Sequence, residues 1–138
     1  MKKEKSKASE IIDGMMKSDY FSQWLGIERL EEGEGYCKLR MVIREEMCNG
    51  FGIAHGGISF SLADSALAFA SNSHGPQAVS LETSITHIKP LKPGDIILAM
   101  AKEVHVSRKI GHYDVQIEKE NGELIALFKG LVYIRSGE

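Results

Sequence analysis

Apolar residues recur at three- and four-residue spacing over residues 8–18, where Ile11, Ile12, Met15 and Met16 share a face. The spacing predicts a short amphipathic helix with Ser9 as its N-cap. Tyr20, Phe21, Trp24 and Leu25 follow as an aromatic cluster expected to plug one end of the core, and residues 1–20 read as an N-terminal helical extension. From Gly26 the pattern turns strand-like: residues 27–30, a turn over Glu32-Gly33-Glu34-Gly35, then residues 36–43, together a hairpin.

The stretch from Ile58 to Ser73 is helical in pattern and is closed by His74-Gly75-Pro76, a helix stop. Between Gly57 and Ser73, ten of seventeen residues are Gly, Ala or Ser, and Asp64 is the sole charged side chain. A helix without Lys, Arg or Glu on any face is expected to be surrounded by protein, with Asp64 as a buried acid.

Strand signals dominate afterwards. Val79, Leu81, Thr83 and Ile85 alternate with Ser80, Glu82, Ser84 and Thr86, which predicts the first set facing inward. A Pro- and Gly-rich turn over residues 89–95 leads to a strand over 96–107. A further strand starts at Gly111, with Val115 and Ile117 on one face and Asp114, Gln116 and Glu118 on the other. Asn121-Gly122 predicts a two-residue hairpin before a nearly all-apolar strand over 124–134. Long antiparallel strands beside one buried helix imply an α+β fold, a curved antiparallel sheet wrapped around a long central helix. No linker, repeat or low-complexity tract interrupts residues 1–138, so one domain is expected.

Composition narrows the function by exclusion. The chain has 138 residues, 43% hydrophobic and 26% charged, with a formal net charge of −2. That balance offers no bulk attraction to nucleic acid or to an anionic membrane. No apolar run reaches membrane-spanning length. Charged residues after Met1-Lys2-Lys3 break up any signal-peptide core, so with only Cys37 and Cys48 the expected setting is a reducing cytoplasm with free thiols. His74, His87, His105 and His112 show no metal-ligand spacing, so no metal site is expected. The glycines before the helix match neither a P-loop nor a dinucleotide fingerprint.

What remains is the loop Cys48-Asn49-Gly50-Phe51-Gly52-Ile53-Ala54-His55-Gly56-Gly57 and the helix it opens. The first amides of a helix have no intrahelical acceptor and sit at the positive end of its dipole. Gly56 and Gly57 would let a substrate carbonyl reach them and would stabilise an oxyanion; equally, the glycines serve a tight turn. Asp64, just over two turns further on, suits a general base on water or a direct nucleophile on a thioester. A buried acid satisfied by backbone donors is the structural alternative. His55 is a candidate acid or base, or simply hydrogen-bonded structure. Lys89, Lys92, Arg108 and Lys109 occupy predicted turns and are either solvated or gathered around a phosphorylated ligand tail.

The segment from Asn49 through His55-Gly56-Gly57 to Leu62-Ala63-Asp64 resembles the hotdog-fold acyl-CoA thioesterases of the phenylacetic-acid-degradation (PaaI-like) type, and the order of elements matches across nearly the whole chain. The resemblance implies a homodimer with sheets joined edge to edge, usually paired again into a tetramer, and active sites at the dimer interface. Asp64 would be general base or nucleophile, and the Gly56 amide, with Gly57, would polarise the thioester carbonyl. Asn49 would orient the carbonyl or the water, His55 would support the loop, and Ser80 would hold water. Arg108 and Lys109 would meet the phosphates of coenzyme A, with Lys89 and Phe60 as further substrate contacts. The implied reaction is hydrolysis of a coenzyme-A thioester to free acid and coenzyme A, without metal or redox cofactor. A same-fold hydratase or dehydratase would need a catalytic His opposite the acid, and a non-catalytic acyl-CoA-binding protein would need no acid in the helix.

Overall fold

The computed structural model describes residues 4–135, so the Met1-Lys2-Lys3 start lies outside the described residues. In chain order the elements are α1 (Lys7–Ser18), α2 (Tyr20–Leu25), β1 (Glu28–Gly33), β2 (Tyr36–Val42), α3 (Gly56–Asn72), β3 (Ala78–His87), β4 (Ile96–Val106), β5 (Ile110–Lys119) and β6 (Leu124–Ile134). The six strands form one antiparallel sheet in the order β1-β2-β4-β5-β6-β3. The helix α3 packs on its inner face against β2, β4, β5, β6 and β3. The core joins Leu62, Ala63, Ala66, Leu67, Phe69 and Ala70 of this helix to inward residues such as Leu39, Ala99, Val115, Ile117 and Phe128. Small residues on α3 bring sheet and helix close.

The tightest point of that contact is Gly130 on β6. A Cβ there would lie 2.5 Å from Leu67 Cδ2 and 2.9 Å from Leu67 Cδ1. Gly130→Ala is therefore expected to destabilise the fold by about 1–3 kcal/mol, because neither the strand nor the fully buried Leu67 has room to yield. Chemical denaturation checks this, and an unchanged midpoint would show that the helix shifts freely.

Four expectations are corrected at the level of local structure. The α1 N-cap is Ser6, whose Oγ accepts from Ser9 N–H at 3.1 Å, so the helix begins at Lys7. Tyr20, Phe21 and Trp24 do not plug the core. They form the outer face of α2, with Phe21 and Trp24 stacked at 6.1 Å, and only Leu25 points inward. The Arg44 guanidinium holds Trp24 in place: it donates to the Trp24 and Leu25 carbonyls at 2.6 and 3.1 Å and lies over the indole. The 119–124 connection is a three-residue loop, not a two-residue one. Lys119 N–H bonds Glu123 O, Gly122 N–H bonds Lys119 O, and Gly122 takes φ +92°, the type I turn with a left-handed glycine bulge.

The fourth correction shapes the site. Ser80 pairs with Val132 and Glu82 with Leu131, so Leu81 is an extra residue in a β-bulge. Before the bulge Ala78 and Ser80 face inward, beside Ile134 and Val132. After it Thr83, Ile85 and His87 do so, beside Gly130, Phe128 and Ala126. Val79 and Leu81 are exposed instead (46% and 55%), opposite to what strict alternation predicts.

Candidate active site

The loop before α3 is built around Asn49. Its Oδ1 accepts from Phe51 N–H at 2.9 Å and Ile53 N–H at 3.4 Å, its backbone exchanges bonds with Ile53 and Gly52, and Cys48 bridges Ala54. With Oδ1 occupied by the loop, Asn49 has its Nδ2 donors to offer to a ligand. The loop ends at His55, the N-cap of α3, which makes no side-chain capping bond and is exposed. His55 N–H donates to Met47 O at 3.0 Å and Ile58 N–H to His55 O at 2.9 Å. The Gly56 and Gly57 amides find no backbone acceptor among the described residues.

A cavity of about 370 Å³ faces these amides, with Asn49, Gly56, Ser59, His87, Lys89 and Pro90 among its walls. Space for a substrate near Gly56 is limited by His87: a Cβ on Gly56 would come within 2.9 Å of its Nε2. Ser59 Oγ, which also donates to Gly56 O, lies 3.4 Å from His87 Nδ1. The sequence reading assigned His87 no role beyond excluding it as a metal ligand. It shares the inward face of β3 with Thr83 and Ile85, beyond the bulge at Leu81. Lys89 reaches the same cavity but is paired with Glu123 at 3.3 Å.

Asp64 lies elsewhere. It lines a separate cavity of about 210 Å³ with Leu67, Ser71, Val79, Ser80 and Val132, and no hydrogen bond holds its carboxylate among the described residues. Burial pushes its carboxyl above the ordinary carboxylate value, and the nearby Asp19 charge pushes the same way. It is half-buried, not enclosed, because the sheet and the N-terminal helices leave one stripe of α3 open. Gly57, Ser61, Asp64, Ala68 and Asn72, at three- and four-residue spacing, form a stripe of partly or fully exposed residues along the helix. Along the helix axis, Asp64 is about 12 Å from Gly56, eight residues at 1.5 Å each.

The fold places Ser80 beside Asp64 in one cavity. It does not gather the predicted cations. Arg108 lines a third cavity, about 290 Å³, with Ser71, His74 and Glu103 near the C-terminal end of α3, whereas Lys89 is at the N-terminal end. Arg108 and Lys109 are exposed in the β4–β5 turn. Phe60 packs edge-on against Phe128 at 5.3 Å and lines neither the Asp64 nor the loop cavity. Met47, another expected pocket wall, is fully buried core. Burial pushes the Cys37 thiol up to about 12, which makes it inert at neutral pH. No three metal-ligating side chains cluster among the described residues.

The architecture and the sequence both have known counterparts. The solved structure of the Escherichia coli PaaI protein from the phenylacetic acid degradation operon superposes with a TM-score of 0.92 at 34% identity, covering 95% of each chain. The E. coli acyl-coenzyme A thioesterase PaaI is 36% identical over 90% of this chain and 89% of its own length. Human acyl-coenzyme A thioesterase 13 is 31% identical over 85% and 86%. Residues 51–126, from the Asn49 loop's tip into the start of β6, match the family model described as Thioesterase superfamily. The family model covers more than half of the chain and the relatives exceed 30% identity over most of its length, so the chain belongs to the thioesterase superfamily.

Proposed function

We propose that the protein is an acyl-CoA thioesterase whose active site is completed by a second copy of the chain. The carrying observation is the separation of two complementary half-sites. One offers oxyanion donors without acceptors, at Gly56 and Gly57. The other offers an unpartnered, half-buried carboxylate, Asp64. Catalytic donors and base must each lie about 3 Å from atoms of one substrate group. About 12 Å of helix separates the two within one chain, so the base serving one set of amides comes from a partner.

The two sheet edges favour the same arrangement. The β1 edge carries Glu28, Arg29, Glu31 and Glu32 within six residues, the charge pattern that blocks edge pairing. The β3 edge has ten residues with one charge, Glu82, and exposes Val79 and Leu81. Pairing β3 with its copy covers those side chains and places a second chain over the open stripe of α3. Association of two such dimers extends this reading to the tetramer.

In the proposed reaction Ser80 and Asp64 hold a water, and Asp64 takes its proton as the oxygen attacks the thioester carbon. The partner's glycine amides, with Asn49 Nδ2 beside them, bear the negative oxygen. The C–S bond then breaks, and the coenzyme A thiolate receives the proton. His55 keeps the loop in register at the N-cap. Arg108 and Lys109 remain the candidates for the phosphates of coenzyme A, and Lys89 for the groove beside the amides. No metal or redox group is required. The reading places the enzyme in the cytoplasm, where the free thiols Cys37 and Cys48 stay reduced. No helix of the described residues is long and apolar enough to cross a membrane.

A panel of aryl-, short- and medium-chain acyl-CoA esters, followed by free-thiol release, tests the reading. Turnover of at least one class above the uncatalysed rate is expected. Tight binding of the whole panel without thiol release would support the acyl-CoA-binding alternative and remove the enzyme assignment.

A further inference from the structure

The cavity at the N-terminal end of α3 holds a side chain to which the residue pattern assigns no role. His87, the last residue of β3, lies against the start of the helix. A Cβ on Gly56 would come within 2.9 Å of its Nε2, 3.3 Å of Cε1 and 3.6 Å of Cδ2. Gly56 has no left-handed φ, so what excludes a side chain there is the imidazole edge. Covalent geometry puts a Cβ about 2.5 Å from its own amide nitrogen, so Nε2 lies within about 5.4 Å of the Gly56 nitrogen. Two donors that share one acceptor can stand up to about 5.8 Å apart, twice an ordinary hydrogen-bond length. A single oxygen atom can therefore accept from the Gly56 amide and from His87 Nε2 together.

Ser59 decides which ring nitrogen carries the hydrogen. It is 3% exposed and stands three residues after Gly56 in α3. Its Oγ is 3.2 Å from Gly56 O and 3.4 Å from His87 Nδ1. A carbonyl oxygen only accepts and a hydroxyl has one proton, so these two long contacts are a three-centre bond from Ser59 to both acceptors. With Nδ1 accepting, the network assigns the hydrogen of the neutral ring to Nε2, the nitrogen beside Gly56. Nothing in this chain competes for it: none of the described residues that line the cavity is acidic.

We propose that His87 is a catalytic residue of the hydrolysis: its Nε2–H joins the Gly56 amide on the thioester carbonyl oxygen and stabilises the negative charge which that oxygen gains as water attacks. The inference rests on the loop cavity receiving the thioester, as the thioesterase reading has it. The hydrogen stays on Nε2 throughout. When the carbonyl reforms, the electron pair of the C–S bond leaves with sulfur, and the imidazole is unchanged. Ser59 is the positioning residue that holds the ring and its tautomer.

His87→Phe keeps a flat ring beside Gly56 and removes the donor, whereas His87→Gln keeps a side-chain N–H. His87 is exposed at the end of its strand, so both full-length variants are expected to fold. In the Phe variant kcat for an acyl-CoA ester should fall about 10²-fold with KM within about threefold, and the Gln variant should recover part of that loss. Binding gives a readout independent of turnover. The acetyl-CoA analogue with a methylene in place of sulfur keeps the carbonyl and resists hydrolysis, and S-ethyl-CoA has no carbonyl. His87→Phe should weaken binding of the first about threefold or more and leave the second unchanged. An unchanged kcat in the Phe variant, or equal loss of affinity for both analogues, overturns the inference and leaves His87 as a packing residue. If the wild type cleaves no ester but His87 still distinguishes the two analogues, the enzyme reading fails and the carbonyl contact stands. If it does neither, both fail.

Discussion

Asp64→Asn is expected to lower kcat for thioester hydrolysis by about 10²–10⁴-fold, the range in which a positioned base contributes, while KM changes by less than about threefold. Asparagine keeps the size and one acceptor oxygen of Asp64 but cannot take a proton. The fold should not suffer. Asp64 has no hydrogen-bond partner to lose among the described residues, and its raised pKa means that the folded protein disfavours its charge. The sign follows from linkage: with a folded value above the unfolded one, the folded state binds more protons, and stability falls as pH rises through that window. Above the folded value the wild type carries the whole penalty and the Asn variant none. The variant should therefore melt at the same or a higher temperature at neutral pH, with any advantage fading as pH drops towards the ordinary carboxylate value of 3.8. Wild-type activity should fall on the acid side as Asp64 is protonated. Full activity in the Asn variant would remove Asp64 from the mechanism, and a large loss of thermal stability would make it structural.

How far such a site can be read from residues alone depends on where its geometry originates. The charge-free helix was legible, because only a helix packed under a sheet dispenses with Lys, Arg and Glu; Asp64 stood out against that background. The open amides were legible through Gly56 and Gly57. The bulge at Leu81 was not, because a one-residue register shift leaves the apolar pattern of β3 intact while exchanging its faces. That shift turns Val79 and Leu81 outward; His87 keeps the face of Thr83 and Ile85, but its meeting with Gly56 is a contact between elements that no pattern within β3 announces. The aromatic cluster misled for a related reason. Apolar character at Tyr20, Phe21 and Trp24 says that a surface is sticky, not which way it faces, and the Arg44 anchor that sets Trp24 outward is twenty residues distant. Periodicity reports faces of single elements; the contacts that tune the site cross between them.

Mixing two inactive variants should restore activity, and by a predictable amount. Asp64→Asn removes the base; Asn49→Ala removes the amide donor and loosens the loop that opens α3, whose Oδ1 bonds to Phe51 and Ile53 it deletes. In a dimer that shares its sites, a heterodimer of the two has one site with both defects and one with neither. Random assortment makes half the dimers mixed and half of their sites intact, so an equimolar, subunit-exchanged mixture should recover about a quarter of wild-type activity. A site closed within one chain predicts no recovery, since every site then keeps one defect. Replacing exposed Leu81 with Asp puts one more negative charge on each of the two paired β3 edges, beside Glu82. Introduced into both partners it should abolish the recovery along with dimerisation in sedimentation, because the amides at Gly56 then lose the only carboxylate able to reach their substrate.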